Sequence, residues 1–158
     1  MQYRAIRRPL ACVGLAVVVF ILAAQHGVFA HRAHWGTGCS DSAYELTVAQ
    51  AFQDHRRHIE VCDGGVVTRV LKDDLVGPRH QRFIVRVGHL DTEEAATVLI
   101  AYNIDLAPRI ENLQPGEPVE FSGEYEWNGQ GGIVHWTHQD PSGEHPAGWI
   151  RYEGHVYR

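Results

Sequence analysis

"EPVEFSGEYEWNGQGGIVHWTH", residues 117–138, sets the architecture of this chain. Its first half alternates. Val119, Phe121, Gly123, Tyr125 and Trp127 share one face; Glu120, Ser122, Glu124 and Glu126 share the other. That two-residue period belongs to a strand with one buried side. "NGQGG" at 128–132 has the composition of a hairpin turn, and "IVHWTH" at 133–138 supplies the partner strand. Gly123 falls mid-strand, where a barrel corner or bulge is expected.

Upstream, "HIEVC" at 58–62 reads as a short strand that stops at Gly64-Gly65, and "VVTRVLK" at 66–72 as the next. The turn-rich "DDLVGPRHQ" separates these from "RFIVRVG" at 82–88, where Phe83, Val85 and Val87 face opposite to Arg82 and Arg86. "ATVLIAYN" at 96–103 is apolar on both faces and is expected to be covered on both. "DLAPRIENLQ" can hold a short helix, with Asp105 as cap and Pro108 early in it. "GWIRYEGHVYR" at 148–158 reads as a last hairpin turning at Glu153-Gly154. Ahead of the strands, Ser42 and Glu45 have capping-box spacing, and the pattern that follows predicts a helix over 43–57. His55 and His58 then read as helix-end residues, where positive charge favours the helix dipole. The element order is that of an OB-like five-stranded Greek-key barrel with an N-terminal helix and a C-terminal hairpin. An up-and-down meander is the alternative.

The first 30 residues carry Arg4, Arg7 and Arg8, an apolar run from Leu10 to Ala24, and Val28-Phe29-Ala30. This is the three-part layout of a secretory signal peptide, 1–30. The run falls short of the roughly 20 residues of a comfortable membrane span, so no stable span is expected after cleavage; an uncleaved anchor is the alternative. Cleavage after Ala30 leaves a lead-in at 31–42 and a single domain at 43–158, in a periplasmic or secreted location. Three of the 14 basic residues leave with the signal, so 11 Lys and Arg face 19 Asp and Glu, a net charge of −8. Such a domain is a poor non-specific partner for nucleic acid, whose binding runs on phosphate neutralisation. Cys39 and Cys62 remain, and an even pair in an exported chain reads as a disulfide. A thiolate metal pair is weaker, because neither has a near ligand at finger-like spacing.

"RHQRFIV", "NIDLAPRI", "VEFSGEYEWN", "GGIVHWTHQDP" and "GWIRYEGHVY" together resemble domain of unknown function family 3465. The resemblance covers roughly residues 60–157. It implies a small exported bacterial protein, OB-like in fold, and carries no activity with it.

The chemistry-bearing stretch is "HWTHQDPSGEH" at 135–145. His135, His138, Asp140 and His145 offer imidazole and carboxylate donors, which suit a divalent metal such as Zn, Mn or Cu. Strand parity puts residues 135 and 138 on opposite faces, so they share an ion only where the strand ends or bulges near Thr137. The competing reading is a turn at Asp140-Pro141-Ser142-Gly143, with Asp140 bonding its own backbone. A second group holds Asp73, Asp74, Arg79, His80, Asp105 and Arg109. There His80 and Arg109 would assist a metal-dependent hydrolase acting on phosphodiesters, or the group is a solvated turn. Trp127 and Trp149, near strand ends, are candidates for stacking a ligand ring. A mature amino terminus at His31, with His34 nearby, could chelate copper. The functional classes are a binding module for a small ligand or divalent metal, a metal-dependent hydrolase, and a structural or protein-interaction barrel.

Overall fold

The computed structural model describes residue 39, residues 46–88 and residues 95–158. The signal segment, the lead-in apart from Cys39, with its His31 and His34, and Ser42 and Glu45 lie outside them. The described residues belong to one unit, Ala33–Arg158.

A short helix, α1 (Val48–Gln53), precedes seven strands: β1 (Arg57–Val70), β2 (His80–Val87), β3 (Ala96–Asn103), β4 (Pro118–Glu126), β5 (Ile133–His135), β6 (Trp149–Tyr152) and β7 (His155–Tyr157). The neighbour order is β1-β2-β3-β5-β4, and β1 pairs again with β4. The ring therefore closes on five strands. β3 and β5 run parallel while the other pairs are antiparallel. This is the OB-like order, and the β6–β7 hairpin continues the sheet from β4. Val61, Phe83, Val85, Ile100, Phe121, Tyr125 and Val134 fill the interior. Phe83, Val85, Phe121 and Tyr125 come from the inward phase of the alternation that the sequence displays.

Three elements differ from the expectations. The two strands placed on either side of Gly64-Gly65 are one strand. β1 pairs with β4 from Arg57 to Val66 and with β2 from Gly65 to Val70, so the glycines mark where the strand changes neighbours. A Cβ at Gly65 would stand 2.2 Å from the Arg86 carbonyl oxygen, so only glycine lets the two backbones approach this closely. The helix expected over 43–57 is six residues long among the described ones, with Thr47 and Gln50 forming its capping box. It stops because His55 takes φ 54, a left-handed conformation.

The third difference is residues 104–117, which form turns and no helix. Pro108 disfavours helical geometry at the residue before it, and Asn112 sits at φ 60. The backbone polar groups are satisfied otherwise. The buried Gln81 amide donates to the Ile110 carbonyl at 2.9 Å and accepts from the Ile110 N–H at 2.9 Å, and the Tyr102 hydroxyl donates to the Pro108 carbonyl at 3.0 Å. One side-chain amide thus anchors the connection that covers this end of the barrel. Gln81→Leu leaves the buried Ile110 N–H without a partner and its carbonyl with only the Arg109 guanidinium at 3.3 Å, and is expected to cost about 1–3 kcal/mol, read from the urea midpoint.

Cys39 and Cys62 form a disulfide with a Cα–Cα distance of 5.4 Å across 23 positions. A closed loop of this size stabilises the fold by about 3 kcal/mol in the chain-entropy view.

Candidate metal centre

The closure of β1 onto β4 builds a patch that no single segment contains. In-register partners point to the same side of a sheet. Glu60 of β1 lies opposite Glu124 of β4, and Glu124 lies opposite His135 of β5. These three make one row across the outer wall of the barrel. β1 is bulged between Arg57 and Ile59, and His58 sits in the bulge at φ 51. A non-glycine residue held there costs of order 1 kcal/mol or more. The bulge turns His58 onto the wall. Its N–H donates to Glu126 Oε1 at 3.1 Å, and its Nδ1 stands 2.6 Å from Glu126 Oε1 and 3.3 Å from Glu124 Oε1.

Two more imidazoles face Glu124. His135 Nε2 is 3.4 Å from Glu124 Oε1, and His145 Nδ1 is 3.9 Å from Glu124 Oε2. His135 Nε2 is buried and makes no hydrogen bond. The His145 ring stacks on Trp136 with centroids 3.8 Å apart and planes 15° apart. Burial pushes the His135 pKa down, partly offset by Glu124 and Glu126. Burial also raises the Glu60 carboxyl, and the facing Glu124 raises it further.

The four residues that the sequence offers as metal ligands separate into two pairs. His135 and His145 reach the patch. His138 and Asp140 do not, and parity explains why. β5 ends at His135, and Trp136 takes φ 53, which resets the alternation. Thr137 and His138 then turn inward and are buried, and His138 Nδ1 lies 2.9 Å from the Gln139 carbonyl oxygen. Gly148 accommodates this reversal, since a Cβ there would be 2.0 Å from the Trp136 oxygen. Asp140 is occupied by its own turn. Its carboxylate accepts from the N–H groups of Ser142, Glu144 and His145 at 3.0, 2.7 and 2.9 Å, and from the Ser142 hydroxyl. Asp140 therefore positions His145 and is not itself available.

The Ser142 N–H and hydroxyl, followed by the His145 and Glu144 N–H groups, hold the Asp140 carboxyl well below the ordinary carboxylate range. A depressed carboxylate stabilises the fold above its unfolded pKa of about 3.9 and loses that contribution as pH falls through the folded value. Asp140→Ala is therefore expected to lower the melting temperature at pH 7, with the gap from wild type closing below about pH 4. A gap unchanged at pH 2 would contradict this role.

The remaining candidates are engaged elsewhere. Arg109 Nε pairs with Asp73 at 3.0 Å and Arg79 Nε with Asp105 at 2.6 Å. The His80 backbone bridges Asp74. This group follows the far end of β1 from His58, and its arginines are spent on neighbouring carboxylates. Trp127 is packed by Phe52, His55 and Arg57, and Arg151 lies over Trp149 at 5.0 Å. Both rings already have partners from their own chain.

Sequence reasoning missed His58, Glu60, Glu124 and Glu126. One signal was present: counting back through the 128–132 turn places Glu124 beside His135. Nothing local placed His58, because its neighbours are set by a strand some 66 residues away. Among the described residues, His58, Glu124 and Glu126 form the triad whose donor atoms all lie within 4.8 Å of one another. No curated protein and no solved structure matches the chain. Residues 33–158 match the family model described as a protein of unknown function, DUF3465, and the chain belongs to that family.

Proposed function

We propose that this protein is an exported OB-like binding module for a divalent transition metal, held on the outer wall where β1 meets β4. The observation that carries the reading is the triad of His58, Glu124 and Glu126, with donors within 4.8 Å of one another. Imidazole and carboxylate together suit zinc, manganese or copper(II), whereas calcium takes six to eight oxygens. His135 supports the reading, because a buried ring nitrogen without a hydrogen bond, 3.4 Å from a carboxylate oxygen, is a ligand in waiting. The strained bulge at His58 supports it too, since bulges recur beside functional sites and re-aim side chains.

Export rests on the signal-like segment 1–30 and on the disulfide, which persists in oxidising compartments. No helix among the described residues is long and apolar enough to cross a membrane. Mass spectrometry of protein recovered from the cell envelope or medium should show a chain beginning at His31.

The metal reading is tested on protein purified without chelator, by elemental analysis and by calorimetric titration of the stripped protein with zinc(II), manganese(II) and copper(II). Binding at micromolar concentration or tighter is expected, with loss in His58→Ala of about 10- to 100-fold. No metal on isolation and none bound at that concentration would end the proposal.

A further inference from the structure

Among the described residues, the large apolar side chains left exposed are Leu75, Val76, Leu106 and Val156. Three of these four gather at one end of the barrel. Leu75 and Val76 form the tip of the β1–β2 connection, 62% and 87% exposed, and Leu106 follows β3 at 45%. The two loops are tied together. Arg79 donates its backbone N–H to Asp105 Oδ2 at 2.7 Å and its Nε–H to Asp105 Oδ1 at 2.6 Å, and its carbonyl accepts from the Ile104 N–H at 2.9 Å. The tip is also held from within. Asp74 and His80 exchange both backbone hydrogen bonds at 2.9 Å, and the Asp74 carboxylate accepts the Val76 N–H at 3.1 Å. Gly77 completes the reversal at φ 70. Exposed apolar residues scattered singly are ordinary, whereas three on two linked and internally bonded loops make a patch of the kind that marks a docking surface.

Charge sets this end apart as well. Segments 69–82 and 104–111 hold five basic and four acidic residues; with 1–30 removed, the rest of the chain holds six and fifteen. All four carboxylates are engaged by arginines of the same two segments: Asp105 by Arg79, Asp74 by Arg82, and Asp73 and Glu111 by Arg109. Arg69 and Lys72 are exposed and make no ion pair among the described residues. We propose that this end of the barrel docks on an anionic lipid surface, with Leu75, Val76 and Leu106 entering the headgroup layer and Arg69 and Lys72 meeting the lipid phosphates. Positive side chains near such a surface are attracted within a Debye length. The acidic remainder is repelled, so the molecule approaches with this end first. A side chain as exposed as Val76 stands proud of the barrel, which suits a surface that yields around it and needs no matching groove. The tip is already ordered, so docking costs little further entropy. The inference is independent of the metal wall, since His58 lies at the other end of β1.

The experiment is co-sedimentation with vesicles of equal parts phosphatidylglycerol and phosphatidylcholine, and with vesicles of phosphatidylcholine alone. The protein is the chain freed of residues 1–30, so that the apolar run of the signal segment contributes nothing. Partitioning onto the anionic vesicles on the order of 10³–10⁴ M⁻¹ is expected at about 0.1 M salt, comparable to one acyl anchor at most. It should be several-fold weaker on phosphatidylcholine alone and weaker again at about 1 M salt. The double variant Leu75→Ser, Val76→Ser should lose at least about 10-fold on either vesicle, and Lys72→Glu should lose binding to the anionic vesicles alone. Val156→Ser, on the β6–β7 hairpin, should bind as the wild type does. Thermal melts check that the variants are folded, as expected for exposed positions. No partitioning by the wild type, or undiminished partitioning by the double variant, overturns the proposal; the first result would turn the patch toward a protein partner. Binding indifferent to salt and to phosphatidylglycerol overturns the choice of an anionic surface. None of these results bears on the metal reading.

Discussion

Glu124→Gln should abolish metal binding and leave the fold as stable as before, or more so. Affinity is expected to fall at least about 100-fold, since losing even an outer partner of a metal ligand costs 10- to 100-fold and Glu124 touches every imidazole of the patch. Stability should move the other way. Glu124 faces Glu60 in register, and removing one of two opposed charges relieves up to about 1 kcal/mol of repulsion. A residue whose removal stabilises the fold but destroys binding is the signature of a functional position. Calorimetry and a thermal melt of metal-free protein read the two halves. Retained affinity, or a melt lowered by several degrees, would contradict this role for Glu124.

Gly123→Ala should damage both the barrel wall and the site. The added Cβ would stand 2.3 Å from the His135 carbonyl oxygen and 2.9 Å from Thr137 Cγ2. The carbonyl belongs to the ladder and cannot step aside without parting β4 from β5. Overpacking of this kind costs about 3 kcal/mol or more, and it strikes the strand pair that sets Glu124 beside His135. Loss of stability and loss of metal should therefore arrive together. Gly143→Ala is the control. Gly143 has φ +70, and a Cβ added there would meet nothing within 4 Å, so only conformational strain of about 1–2 kcal/mol applies. Urea midpoints for the two variants should differ accordingly; equal midpoints would mean that β4 and β5 can yield to the methyl without parting.

Much of the barrel was legible because its strands carry their own period. The alternation from Phe83 to Val87 survives as buried and half-buried positions, whereas from Val119 to Gly123 the face read as polar is buried too, with Glu120 and Ser122 among the buried residues. What was not legible depended on partners distant in sequence. Gly64-Gly65 reads locally as a break, yet it is a crossing point between two neighbours of one strand. The short helix at 105–114 was a fair local reading, and a buried glutamine on β2 outweighs it. The site followed the same rule. His135 and His145 were visible as donors in a dense stretch, whereas His138 and Asp140 in that stretch were turned to other uses by the left-handed Trp136 and the Ser142 turn. His58 was read as a helix end because its bulge is defined only by its ladder with β4.

The same ladder has a consequence for when metal can be taken up. β1 and β4 are the pair whose meeting closes the ring, and His58 and Glu124 are separated by 66 positions along the chain. Contacts so distant in sequence form late, after the loop-closure entropy has been met. Before that moment His58 lacks Glu124 and Glu126, which reach it only from β4. An ion on this wall would act as a clasp across the closing seam, binding only the finished ring and slowing its reopening in proportion to the metal held.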